Sequence, residues 1–143
     1  MNGNIEKTFI ENYIINNMQE RAKYALNNAK KREAFIWNLF NKNYLDLTNA
    51  QNVTIPITCA DDLYVLLKNV YGFPDSGYVI SINSQTDGNT MLLQQAVRQN
   101  AFLGPFCLMT PDGGMIYAEG EPDGKVHERY VIHALAENRK VCI

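Results

Sequence analysis

The stretch from Gly77 to Ile132 constrains this chain most, because its apolar runs are cut at short intervals by residues that favour turns. Asp87-Gly88, Thr110-Pro111-Asp112-Gly113-Gly114 and Pro122-Asp123-Gly124 each place an Asp beside a glycine that tolerates positive φ, two of them with a proline to preset the bend. Between these turns, Gly77 to Ser81, Pro105 to Met109, Met115 to Glu119 and Val126 to His133 read as strands. In the first of them Tyr78, Ile80 and Ile82 point one way, while Val79, Ser81 and Asn83 point the other. The turn at 110–114 lies between two apolar runs and predicts an antiparallel hairpin. Thr90 is placed to cap a helix reaching Gln99, apolar at Met91, Leu92, Leu93, Ala96 and Val97. A strand, a helix and then tightly turned strands specify an α+β protein. The expectation is one domain over 1–143, with a mainly antiparallel sheet of about three to five strands and the N-terminal helices packed on one face.

The region before Gly77 is helical in pattern. Ile10, Ile14, Met18, Ala22, Ala25 and Leu26 recur on one face of a helix from Asn4 to Leu26, with Ile5, Phe9 and Tyr13 on a neighbouring face. Two apolar faces predict a break near Asn16-Asn17, packing on two sides, or a homodimer contact through this helix. Asn28 caps a second helix to about Lys42, buried at Phe35, Ile36, Leu39 and Phe40. Its first turn carries Lys30, Lys31 and Arg32, where the helix dipole disfavours cations. Those charges are a solvated face, or they meet acidic groups in the fold or on a partner. Val53 to Ile57 is β-branched, but Pro56 confines it to an edge or a loop. Thr58 then caps a helix with Asp61 and Asp62 in its first turn and Leu63, Leu66, Leu67 and Val70 as its buried stripe, ended by Gly72. Ala134 to Arg139 reads as a closing helical turn.

Composition narrows the classes further. A chain of 143 residues, 46% hydrophobic and 20% charged, is ordinary globular usage. A net charge of −2 gives no field that seeks nucleic acid or an anionic membrane. The three cysteines, Cys59, Cys107 and Cys142, form no Cys-x-x-Cys pair, which argues against a metal knuckle and for free thiols in a cytoplasmic setting. No Gly-x-Gly-x-x-Gly or phosphate loop occurs, so no cofactor is expected. His127 and His133, six apart on a strand, stand roughly 20 Å from each other and cannot share an ion.

Arg21, Tyr24 and Arg32, then Gly77-Tyr78-Val79-Ile80-Ser81, Asp87-Gly88, Gly104, Tyr117-Ala118-Glu119-Gly120-Glu121 and Glu128-Arg129-Tyr130-Val131-Ile132, form a set of short motifs. In these the chain resembles a group of small bacterial α+β proteins of unknown function. The resemblance implies a bacterial or phage source and an intact domain, and it implies no mechanism.

Glu119 and Glu121 are the best candidates for chemistry. Two apart on a strand, their carboxylates leave one face roughly 6–7 Å apart at Cα, a spacing that suits paired acids or a divalent ion and would raise one pKa. The plainer reading is a solvated strand end, or a pairing of the acids with Arg129 across the next turn. Ser81 lacks a nucleophile elbow, and Cys107 between Phe106 and Leu108 reads as an inert core thiol. Residues 20–33 carry five positive and two negative charges, a patch too small to predict nucleic-acid binding. The functional expectation is a small non-catalytic protein-interaction module, immunity- or antitoxin-like, that offers Glu119, Glu121 and Asp123 to a basic protein partner. The alternative is a small-ligand-binding protein or enzyme. It would use a polar sheet face around Ser81, Tyr117, Glu119 and Arg129, with Arg21 from the covering helix and no metal.

Overall fold

The computed structural model describes residues 3–122 and 127–134. Six strands, β1 (Ala50–Asn52), β2 (Ser76–Ser81), β3 (Thr90–Leu92), β4 (Phe106–Met109), β5 (Met115–Glu119) and β6 (Arg129–His133), form one sheet in the order β1-β6-β5-β4-β2-β3. Every pairing among them is antiparallel. The hairpin expected at 110–114 joins β4 to β5, with Leu108 opposite Tyr117. Gly113 takes a φ of 73°, and a Cβ there would lie 2.6 Å from the Thr8 side chain. The Tyr13 hydroxyl donates to the Gly113 carbonyl at 2.6 Å, which ties the hairpin tip to the first helix.

The sheet is wider than the three to five strands expected. The additions are its two short edges. β1 reads Ala-Gln-Asn and β3 reads Thr-Met-Leu, and neither carries an alternating pattern. Each is recruited by the backbone of a finished neighbour. Val53 still donates to the Arg129 carbonyl at 2.9 Å, and the chain leaves the edge before Pro56. Thr90 therefore sits in a strand rather than at a cap, and the following helix α5 (Leu93–Asn100) starts three residues later.

The helices cover both faces, not one. Helices α1 (Gly3–Tyr13), α2 (Gln19–Leu26) and α3 (Ala29–Asn41) pack on Tyr78, Ile80, Cys107, Met109, Ile116, Ala118 and Ile132. Helices α4 (Ala60–Asn69) and α5 pack on Val79, Phe106, Leu108, Tyr117 and Val131. Both residue sets are apolar, so each face needs a cover. The first helical run breaks as its two-sided pattern suggested. Ile14 bridges to Leu45, and Ile15 donates to the Tyr44 carbonyl at 2.9 Å, before a 3-10 turn at Asn16–Met18. Of the second apolar face, Phe9 and Tyr13 are 0% exposed within the chain itself, while Ile5 is exposed.

Asn28 caps α3 by accepting from the Lys30 amide. α4 departs from its expected start: Cys59, not Thr58, is its N-cap, and no side chain bonds there. Its stripe is Leu63, Leu66 and Leu67, while Val70 lies past the last turn and is exposed. Asp123, Gly124 and Val126 of the last predicted turn and strand, and the tail 135–139, lie outside the described residues.

The misplaced cations of α3 separate into two kinds. Lys30 and Lys31 are exposed, whereas Arg32 turns inward. Its guanidinium donates to both Glu6 oxygens (2.8 and 2.6 Å), both Asp87 oxygens (2.6 and 3.0 Å) and the Leu26 carbonyl (2.8 Å). The Tyr78 hydroxyl also donates to Glu6 at 2.5 Å, and Asp87 accepts the Ser81 amide at 3.0 Å. Burial alone would pull the Arg32 pKa down. The hydrogen bonds and charges of Glu6 and Asp87 outweigh it, and the net shift is upward. Truncating Arg32 strands two carboxylates at the joint between helices and sheet. Arg32→Met is expected to lose about 2–4 kcal/mol in urea denaturation, and Lys30→Ala to change stability by less than about 0.5 kcal/mol.

Candidate functional site

Cross-strand register assembles the polar cluster. Ser81 stands opposite Phe106, Phe106 opposite Glu119 and Glu119 opposite Arg129, so one row crosses four strands on the α4–α5 face. Tyr117 lies two residues before Glu119 on the same strand and face. Tyr117, Glu119 and Arg129 therefore come together as the sequence suggested. Ser81 shares their row but is separated from them by the ring of Phe106.

Glu119 is 0% exposed. Its Oε1 accepts from the Tyr117 hydroxyl at 2.7 Å and its Oε2 from the Phe102 amide at 2.6 Å. His127 Nε2 approaches Oε2 at 3.4 Å, with its ring tilted against Phe102 at 5.8 Å between centroids. Phe102 holds a φ of 66°, a left-handed conformation that costs a side-chain-bearing residue roughly 1–2 kcal/mol. Its amide bond to Glu119 helps to hold it there. Burial is the largest influence on the Glu119 carboxyl and raises its pKa, against the opposing pull of Tyr117, Phe102, His127 and Arg129. Burial and the Glu119 charge likewise push the Tyr117 phenol well up.

The remaining candidates fall elsewhere. Ser81 donates to Asn100 Oδ1 at 2.6 Å, and Thr86 donates to the same oxygen at 3.1 Å. Ser81 also accepts the Asn83 amide at 2.9 Å, so it belongs to a knot joining β2 to α5. It borders an open cleft of about 240 Å³ with Asn83, Asn100, Leu103 and Gly104. Arg21 lies on α2, in the layer on the other side of the sheet, and is exposed. Glu121 is exposed beyond the end of β5. The paired-acid geometry is therefore not built: one carboxylate is enclosed and the other has left the strand. Nor is Glu119 solvated, being 0% exposed, and its hydrogen bonds come from Tyr117 and the Phe102 amide rather than from Arg129.

Ala118 and Gly120, on either side of Glu119, serve the opposite face. Ala118 packs in the α1–α3 core, and a Cβ on Gly120 would press on the Phe40 ring at 3.1 Å. Cys107 is fully buried, and burial pushes its thiol pKa far up, as expected of an inert core thiol. Of the basic set on residues 20–33, Arg32 is consumed in the fold and Lys23 pairs with Glu20 at 3.0 Å. His133 is exposed at the far end of β6, opposite Met115, and borders a groove of about 520 Å³ with Tyr71, Pro74, Pro111 and Asp112.

The sequence signal missed Phe102 and the inward aim of His127. Phe102 contributes its backbone amide, which any residue type could supply. Among the described residues no three His, Cys, Asp or Glu side chains are placed to hold a metal ion, and no helix is long and apolar enough to cross a membrane. The chain matches no protein-family model, no curated protein and no solved structure.

An enclosed carboxyl with a raised pKa links folding to pH. The folded state holds the Glu119 proton more tightly than the unfolded chain does. Its contribution is therefore full below the ordinary carboxylate range and is lost as pH rises through the folded value. Urea denaturation from about pH 4 to about pH 8 should show a smaller decline for Glu119→Gln, which cannot ionise, than for the native chain. Tyr117→Phe, which leaves Oε1 unsatisfied, should lose about 1–3 kcal/mol at neutral pH.

Proposed function

We propose that this chain is a small non-catalytic protein-interaction module of bacterial or phage origin, of the immunity or antitoxin kind. The observation that carries the reading is the enclosure of Glu119. The carboxyl best suited to proton transfer is 0% exposed and has both oxygens bonded within the protein, so a substrate has no access to it. Side chains arranged this way stabilise a fold and position a surface. The surface beside them is acidic: Glu121 is exposed, and Glu128 lies across the returning chain, whose carbonyl accepts the Gly120 amide at 2.8 Å. An acidic edge on a compact scaffold suits a basic partner by charge complementarity.

Affinity capture from the source cell, competed with untagged protein, tests this. A stoichiometric basic partner is expected. Glu121→Lys should weaken its capture about tenfold or more, chiefly through slower association at low salt. Failure to recover any protein in competition with the untagged chain would remove the reading.

A further inference from the structure

The row that buries Glu119 leaves its cationic neighbour incompletely satisfied. Arg129 enters β6 directly opposite Glu119, yet among the described residues its buried Nε and Nη1 atoms have no hydrogen-bond partner. Among those residues Nη2 alone finds an acceptor, the Ile55 carbonyl at 3.5 Å, which is the limit for such a bond. His127, two residues earlier, also has a buried Nε2 with no hydrogen-bond partner among the described residues, 3.4 Å from Glu119 Oε2.

A guanidinium cannot shed its proton, so it cannot escape desolvation by becoming neutral. Enclosed donors without acceptors are costly, and proteins keep them rarely. Glu119 does not relieve them: its oxygens accept from Tyr117 and the Phe102 amide, and no hydrogen bond reaches it from Arg129. Burial raises the Glu119 pKa, against the opposing pull of Tyr117, Phe102, His127 and Arg129. Arg129 is only half-buried, and its Nη2 contact with the Ile55 carbonyl lies at the surface, so the guanidinium borders solvent on that side.

We infer that Arg129 and His127 form a binding site for a small oxyanion, a carboxylate or phosphate group, that supplies the acceptors missing at Nε, Nη1 and Nε2. Two nitrogen-bearing side chains, His127 just before β6 and Arg129 at its first residue, suit an oxyanion better than a halide, because several oxygens can be engaged at once. Arg21 and the lysines of α3 take no part; they lie in the opposite layer. This inference goes beyond the interaction reading and stands whether or not a protein partner is found.

The test follows the arginine side chains of the full chain, labelled with nitrogen-15, during titration with sodium acetate, phosphate and sulfate at ionic strength matched with chloride. The Arg129 Nε–Hε resonance is expected to move and saturate with at least one oxyanion. The Arg32 resonance, whose donors are already engaged, should stay in place. Arg129→Lys, which keeps the charge but loses the fork, should bind about tenfold or more weakly, and Arg21→Lys should bind like the native chain. If no oxyanion moves the Arg129 resonance more than chloride does, or if saturable binding survives Arg129→Lys unchanged, the site does not exist. The resonance shift is read on the native chain, so it decides the matter even if the variant fails to fold.

Discussion

A guanidinium held between two carboxylates joins the layers of this protein. Arg32 starts on the first turn of α3, where the helix dipole is against it, and reaches Glu6 on α1 and Asp87 in the turn after β2. Tyr78, on the sheet, completes the group through Glu6. The ion group therefore sets where three helices sit on the sheet, a position that apolar packing alone leaves free to slide. Charged hydrogen bonds are directional, whereas contact between apolar faces is tolerant of register. The unfavourable helix-end charge is offset by contacts formed only in the folded chain.

The two faces of the sheet are used differently at their polar ends. On the α1–α3 side, charges pair fully: Arg32 meets two acids and gives every donor group a role. On the α4–α5 side, Glu119 is satisfied by a phenol and a backbone amide, while Arg129 Nε and Nη1 and His127 Nε2 beside it have no partner among the described residues. Buried polar groups are commonly satisfied throughout, and local shortfalls gather where a structure meets something outside itself. The contrast within one small domain is what singles out the Arg129 end of the row. Enclosure of Glu119 and incomplete use of Arg129 arise from the same register, since both side chains project from paired positions of β5 and β6.

The fold was readable where local chemistry decides it. The turn at 110–114 needs a glycine at positive φ, and Asp112 caps it by accepting from Thr110 Oγ1 and the Gly114 amide, both at 2.8 Å. Asn28 announces α3 for the same local reason. Edge strands were not readable. β1 and β3 have no pattern of their own and exist because β6 and β2 present unpaired backbone. The placement of α4 and α5 on the second face was also hidden, although the continuous apolar runs of β2 and β4 imply two covers once they are known to lie inside the sheet.

By itself the sequence determined the class of fold, the hairpin at 110–114, the capped helix and the grouping of Tyr117, Glu119 and Arg129, because strand alternation and turn chemistry act over a few residues. Tertiary structure alone decided that Glu119 is enclosed, that Ser81 and Arg21 belong elsewhere, and that Arg32 is a fastener rather than a solvated charge. The physical reason is that burial and hydrogen-bond satisfaction depend on groups remote in the chain. The Phe102 amide reaches Glu119 across a loop and Glu6 reaches Arg32 from another helix, and no local pattern encodes either meeting.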